Sequence, residues 1–119
     1  MEKVNLQKKF SLFQDHWSPK IIGELNGQYV KLAKMKGEFQ WHHHDDEDEL
    51  FLVVKGSFRM KLRDGDIVVS EGELIIIPKG LEHCPVAEEE AQILLFEPKS
   101  TLNTGNVRSE RTVEKLAWV

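Results

Sequence analysis

Between Tyr29 and Glu97 the chain is a succession of short runs rich in Val, Ile, Leu and Phe, separated at short intervals by polar turns that contain glycine. Runs of this length fit strands, and their regular punctuation is the pattern of an all-β sandwich or barrel. In "SFRMKLRDGDIVVSEGELIIIPKG" the alternation is explicit, because Phe58, Met60 and Leu62 share one face while Arg59, Lys61 and Arg63 share the other. The Asp64-Gly65 dipeptide, favoured in tight turns, predicts a hairpin of strands 57–63 and 66–70. Gly72 then makes a turn before an apolar strand at 74–77, Pro78-Lys79-Gly80 ends that strand, and "QILLFE" predicts a last strand over about 92–97.

With 119 residues the chain suffices for one packed core. The expected organisation is a single domain, 1–119, with a barrel core at about 28–97, an N-terminal arm at 1–27 and a C-terminal tail at 98–119. Twenty acidic residues against 16 basic ones give a net charge of -4, and no Lys/Arg stripe suits a phosphate backbone, so nucleic acid is excluded as the expected partner. No run approaches a membrane span. The lone Cys84 rules out an internal disulfide framework, and "MEKVNLQKKFSLF" lacks the apolar core of a signal peptide, which predicts a cytoplasmic protein.

The chemistry concentrates in "WHHHDDEDELF", residues 41–51. In a strand His42 and His44 project together, whereas His43 turns the other way. Glu49 shares its parity with Phe51 and Val53, which places a carboxylate on the core side of a strand, a costly position unless a cation compensates it. Two imidazoles beside it supply a place for such a cation. His83, just after the Pro78-Lys79-Gly80 turn, is placed to supply a third. Three His and one Glu suit a divalent first-row ion such as Zn, Mn, Fe or Ni and leave coordination positions open to water or substrate. Asp48 is the alternative carboxylate; the other acids read as a solvated loop and His16 as an exposed arm residue. Cys84, beside His83, is expected to point outward in a packing role. Trp41, Phe51, Phe58 and Phe96 are expected to pack the barrel.

These residues carry a resemblance to the small single-domain cupins. The first cupin motif, G(X)5HXH(X)3–4E(X)6G, is matched by Gly37, His42, His44, Glu49 and Gly56, with Gly37 one residue closer to His42 than the pattern states. The second, G(X)5PXG(X)2H(X)3N, is matched by Gly72, Pro78, Gly80 and His83, with Ala87 in place of the final Asn. The resemblance implies a double-stranded β-helix, or jelly-roll barrel, with His42, His44, Glu49 and His83 as metal ligands.

It also implies a family of dioxygenases, isomerases and lyases, and of non-catalytic metal or small-ligand binders. The expected function is therefore a metal-dependent enzyme, of oxygenase or isomerase type, acting on a small organic substrate in the barrel. A binding or sensing module is the alternative. No second inward carboxylate stands out, and Tyr29, Gln40 and Lys34 are the candidate acid/base groups. By the same resemblance a homodimer is expected. The segment Asn103–Thr112 reads as a surface loop, the alternative being a cover over the barrel mouth that brings Arg108 or Arg111 toward an anionic ligand.

Overall fold

The computed structural model describes residues 1–119 and contains one short helix and eight strands: α1 (Leu6–Phe10), β1 (Lys20–Leu25), β2 (Gln28–Glu38), β3 (Glu49–Lys55), β4 (Ser57–Leu62), β5 (Gly65–Ser70), β6 (Leu74–Ile77), β7 (Cys84–Pro98) and β8 (Ala117–Trp118). The strands run in the order β5-β4-β7-β2-β1-β8, and β3 bridges β7 and β6. This is the all-β jelly-roll architecture expected from the sequence. The sheet also reaches beyond 28–97, because β1 and β8 add strands from the two flanks.

Strand β7 organises the barrel by changing partners. Its first residues, Cys84 to Val86, pair with β4, and its later ones pair with β2 on one side and β3 on the other. The sequence predicts a strand only from about 92, since the acidic run Glu88–Glu90 interrupts the alternation. The structure accommodates that run as a bulge: Met35 faces Ala91 and Gly37 faces Ala87, so three glutamates stand against Lys36 alone, two residues in excess, and are extruded to solvent. The β4–β5 hairpin also differs in detail. Leu62 pairs with Gly65, so Arg63-Asp64 forms the turn and Gly65 opens the returning strand.

Alternating side chains fill the interior with Ala33, Met35, Phe51, Val53, Phe58, Met60, Ile77, Ile93 and Leu95 among others. Burial of each large apolar side chain contributes about 1.5–3 kcal/mol. Phe51 and Phe58 meet at 5.9 Å, as expected of barrel packing. Trp41 and Phe96 do not join them. Trp41 lies on the outside beneath the Arg63 guanidinium, 3.8 Å from its ring centre, and Phe96 is half-buried on the face opposite Leu95. Cys84 alternates with His83 as expected, yet its thiol is fully buried, and that burial raises its pKa above the ordinary value.

Both termini pack on their own barrel. Asn5 caps α1 through its Oδ1, and Phe10 and Phe13 close over Leu32 on the outer face of β2. Lys34, on that same outer face, donates to Phe13 O at 2.7 Å. At the other end β8 pairs in parallel with β1, and Lys9 Nζ donates to the carbonyl of Val119 at 2.8 Å. No helix is long and apolar enough to cross a membrane.

Candidate metal centre

The two histidine segments are tied together through the backbone. His42 N donates to His83 O at 3.1 Å and His83 N to His42 O at 2.9 Å, an isolated antiparallel bridge that sets the two imidazoles side by side, 4.4 Å between ring centres. Gly80 N donates to His44 O at 2.7 Å, and Lys79 N to Asp48 Oδ1 at 2.8 Å. Asp48 therefore pins the Pro78-Lys79-Gly80 turn from the surface and lies outside the cluster. Glu49 enters from the first residue of β3, directly opposite Ile77.

The result brings His42, His44, Glu49 and His83 together, all buried, with one donor atom from each within 4.8 Å of the others. His42 Nδ1 lies 2.9 Å from Gln40 O and His83 Nδ1 lies 2.8 Å from Leu81 O. Each carbonyl accepts from the ring nitrogen nearest to it, which frees Nε2 as an electron-pair donor. Glu49 Oε1 approaches His44 Nε2 to 2.8 Å and His83 Nε2 to 3.2 Å. Neither approach has the angle of a hydrogen bond, so His44 Nδ1 and Nε2, His83 Nε2 and Glu49 Oε1 are buried polar atoms without a partner. Lone pairs that converge on one point and are otherwise unsatisfied fit a cation. Ligand distances of about 2.0–2.2 Å would place the donors roughly 3–4.4 Å apart, close to the observed spread.

The electrostatics agree. Burial, and then the neighbouring His83, lower His42 to about 4, so its imidazole is neutral and available as a ligand. Burial acts to raise Glu49, but His44 and His83 outweigh it and hold the carboxyl below the ordinary range. His43 faces outward, 2.9 Å from Asp45, and His16 contacts Glu90 at 2.7 Å at the surface, both in line with the sequence reading.

One site residue was not anticipated. Glu97 is a second inward carboxylate, 3% exposed, with Oε2 accepting from Lys31 Nζ at 2.9 Å and Oε1 unpartnered. Burial and the Glu49 charge push Glu97 well above the usual carboxyl range, only partly offset by Lys31. Parity was the available signal, since Glu97 alternates with the core residues Ile93 and Leu95. The candidate acid/base groups lie elsewhere: Tyr29 packs on Trp118, Lys34 is held by Phe13, and Gln40 bonds Val107 and Ser109.

A cavity of about 40 Å³ opens on the cluster, lined by His42, Glu49 and Glu97 and by apolar side chains including Met35, Phe51 and Leu95. Trp17 and Phe39, stacked 4.8 Å apart, stand at its edge. The segment Asn103–Thr112 is no free surface loop. Asn106 bonds both the N–H and the carbonyl of His43, Asn103 lines the cavity, and Thr104 is fully buried. It forms a strap across the outside of the histidine segment 42–44. Arg108 turns away to pair with Glu114, and Arg111 lies over the Phe39 ring.

A family model described as Cupin domain matches residues 28–97, more than half of the chain. The chain is a member of the cupin family. A cupin-2 domain containing protein from Shewanella frigidimarina is 48% identical, with a TM-score of 0.80 over 81% of this cupin and 94% of that chain. The uncharacterized protein YdbB of Bacillus subtilis is 41% identical over 63 residues, 52% of this cupin and 56% of YdbB. An acireductone dioxygenase of Sulfurihydrogenibium sp. is 44% identical over 73 residues, 58% of this cupin and 41% of the dioxygenase. The cupin thus spans about half the length of the curated relatives it matches.

Proposed function

We propose that this cupin is a metal-dependent enzyme of oxygenase type, acting on a small organic substrate inside the barrel. His42, His44, Glu49 and His83 hold a divalent first-row ion, Zn, Mn, Fe or Ni. The observation that carries this reading is the set of orphaned, buried donor atoms opening on an apolar cavity. Such an ion supplies Lewis acidity at the bound substrate and, if redox-active, the means to use dioxygen. The protein's own part is to keep the His42 imidazole neutral, to fix the orientation of His42 and His83 through Gln40 O and Leu81 O, and to exclude water with Trp17, Phe39 and Phe51. The likeness to an acireductone dioxygenase supports the oxygenase class over the isomerase class.

The test is elemental analysis of untagged protein purified without added metal, alongside His83→Ala, followed by oxygen uptake with a panel of small hydroxylated compounds. Stoichiometric metal in the parent and its loss in the variant is the expected result. Metal in neither removes the reading. A non-catalytic binding module is the second reading, favoured by one observation: Tyr29, Gln40 and Lys34 all lie outside the cavity. It predicts thermal stabilisation by ligand without turnover. We also propose a homodimer, supported by the apolar outer face where Leu50 and Leu52 on β3 pair with the exposed Ile76 and Leu74 on β6. Sedimentation at micromolar concentration tests it, and a monomer overturns it.

A further inference from the structure

We propose that Glu47 is a positioning residue for the metal centre: its Oε1 accepts a hydrogen bond from His44 Nδ1 and so leaves Nε2 as the donor to the cation. This rests on the metal-dependent reading above and concerns the same cluster. His42 and His83 share one device, since each ring is oriented through Nδ1 by the carbonyl two residues before it, Gln40 O at 2.9 Å and Leu81 O at 2.8 Å. His44 lacks it. The carbonyl in the equivalent place, His42 O, belongs to the backbone bridge and accepts from His83 N at 2.9 Å. His44 Nδ1 is thereby left buried and without a partner, in a residue 3% exposed.

Glu47 is the carboxyl that faces this nitrogen. Of the four acids that precede Glu49, Asp45, Asp46 and Asp48 are exposed, whereas the Glu47 side chain is 15% exposed. Its Oε2 is held by Ser100 Oγ, which donates at 2.8 Å from just beyond β7. Its Oε1 lies 3.9 Å from His44 Nδ1, about 1 Å outside hydrogen-bond range. The hollow around the pair, lined also by Leu102, Gly105 and Asn106, leaves the Glu47 side chain room to close that gap. An imidazole whose Nε2 is committed to a cation carries its proton on Nδ1, and that N–H needs an acceptor once it is out of water. Glu47 Oε1 is the acceptor at hand, and the contact fixes both the tautomer and the ring orientation. The role asks only for an oxygen that accepts, so an amide oxygen serves as well as a carboxyl oxygen.

The experiment uses the full chain and its variants Glu47→Ala, Glu47→Leu, Glu47→Gln and Asp46→Ala. Zn²⁺ titration gives the affinity, and ¹H NMR of the Co²⁺-loaded protein shows the solvent-exchangeable, paramagnetically shifted N–H signals of the ligand imidazoles. The parent shows three such signals, one for each histidine of the cluster. Glu47→Ala binds Zn²⁺ about 10- to 100-fold more weakly, the range for a metal-ligating histidine that loses its outer partner, and one N–H signal is lost to exchange with water. Glu47→Leu keeps the bulk of the side chain without the acceptor and shows the same two losses. Glu47→Gln keeps the affinity and all three signals, because its Nε2 donates to Ser100 Oγ while its Oε1 accepts from His44. Asp46→Ala, which removes an exposed acid from the same loop, behaves as the parent and separates positioning from the loss of one negative charge. The proposal is overturned if Glu47→Leu binds Zn²⁺ as tightly as the parent or keeps all three signals, if Glu47→Gln falls as far as Glu47→Ala, if Asp46→Ala falls with it, or if the parent shows only two signals. Failure of the parent to take up either ion overturns the metal-dependent reading itself.

Discussion

Gly105→Ala is the sharpest test of the strap, because two separable penalties can be worked from the structure. Gly105 has φ +58, and a Cβ there would press into the carbonyl of His43, lying 3.0 Å from its carbon and 3.0 Å from His42 Cδ2. The left-handed backbone costs an alanine about 1–2 kcal/mol. The contact is with backbone and cannot be relieved by a rotamer, so the strap must lift. Lifting it breaks Asn106 N to His43 O at 2.9 Å and His43 N to Asn106 Oδ1 at 2.8 Å, about 1 kcal/mol each. The expected loss is about 3–4 kcal/mol. Gly72→Ala is the internal control: φ is +82 there, but the space around it is open, so only the backbone cost of about 1–2 kcal/mol applies. Urea unfolding of both metal-free variants measures the difference, with unchanged slopes confirming a common transition. Because His43 separates His42 from His44, Gly105→Ala is also expected to weaken metal binding about 10- to 100-fold, while Gly72→Ala leaves it unchanged. If the two variants unfold at the same urea concentration, the strap does not press on the histidine segment, which refutes the clash.

Three further outcomes are expected. The metal-free protein loses stability on acidification, because His42 titrates near 6.5 when unfolded and at about 4 when folded. The His42 contribution is whole above pH 6.5 and falls by about 3 kcal/mol as pH drops toward 4, in the same direction as the lowered Glu49 and against the raised Glu97; the change in urea-unfolding stability between pH 7 and 4 should differ between the parent and His42→Phe by about that amount, and equal changes refute it. His83→Ala removes one of the four converging donor residues, so a Zn²⁺ titration should show affinity lower by at least tenfold, and equal affinity would exclude His83 as a ligand. Asn106→Ala removes one hydrogen bond without a clash and should cost about 1 kcal/mol in urea unfolding, well below Gly105→Ala; a larger loss than in Gly105→Ala would contradict the assignment of the clash.

The parts of this protein that follow a strict period could be read directly. Phe58 and Met60 alternate with Arg59 and Lys61 on β4, and Glu49 keeps step with Phe51 and Val53, so strand parity alone places them. In the four-residue cluster, alternation pointed to His42, His44 and Glu49, whereas His83 came from the Pro78-Lys79-Gly80 turn and the second motif; His42 and His83 in fact meet as an isolated bridge outside the named strands. Parity failed where a strand is covered on both faces or bulged. Lys31 to Met35 are all buried because the arm packs Phe10 and Phe13 on the outside, so Lys34 gave no sign of its facing. The acidic bulge at Glu88–Glu90 hid the first half of β7. Glu97 was missed because the strand's last residue reads as a solvated exit, and its partner Lys31 lies 66 positions away. The strap could not be read at all: its polar sequence describes hydrogen bonds to the Gln40 side chain and the His43 backbone, and such partners leave no pattern in composition.

The buried charges predict that cation binding and folding are coupled in this barrel. A buried ion pair such as Lys31–Glu97 adds little stability over apolar residues of the same shape, so the fold alone gives no reason for it. The orphaned atoms of His44, Glu49 and His83 go further and oppose folding, at about 1–3 kcal/mol each when no cation is bound. The metal-free barrel therefore carries several kcal/mol of unfavourable polar burial at one end, supported by the core of Phe51, Phe58, Met60 and Ile93 and by the strap outside. A bound cation satisfies those atoms together, so its binding energy appears as folding energy. Of the two carboxylates at that end, Glu49 is the one a cation satisfies.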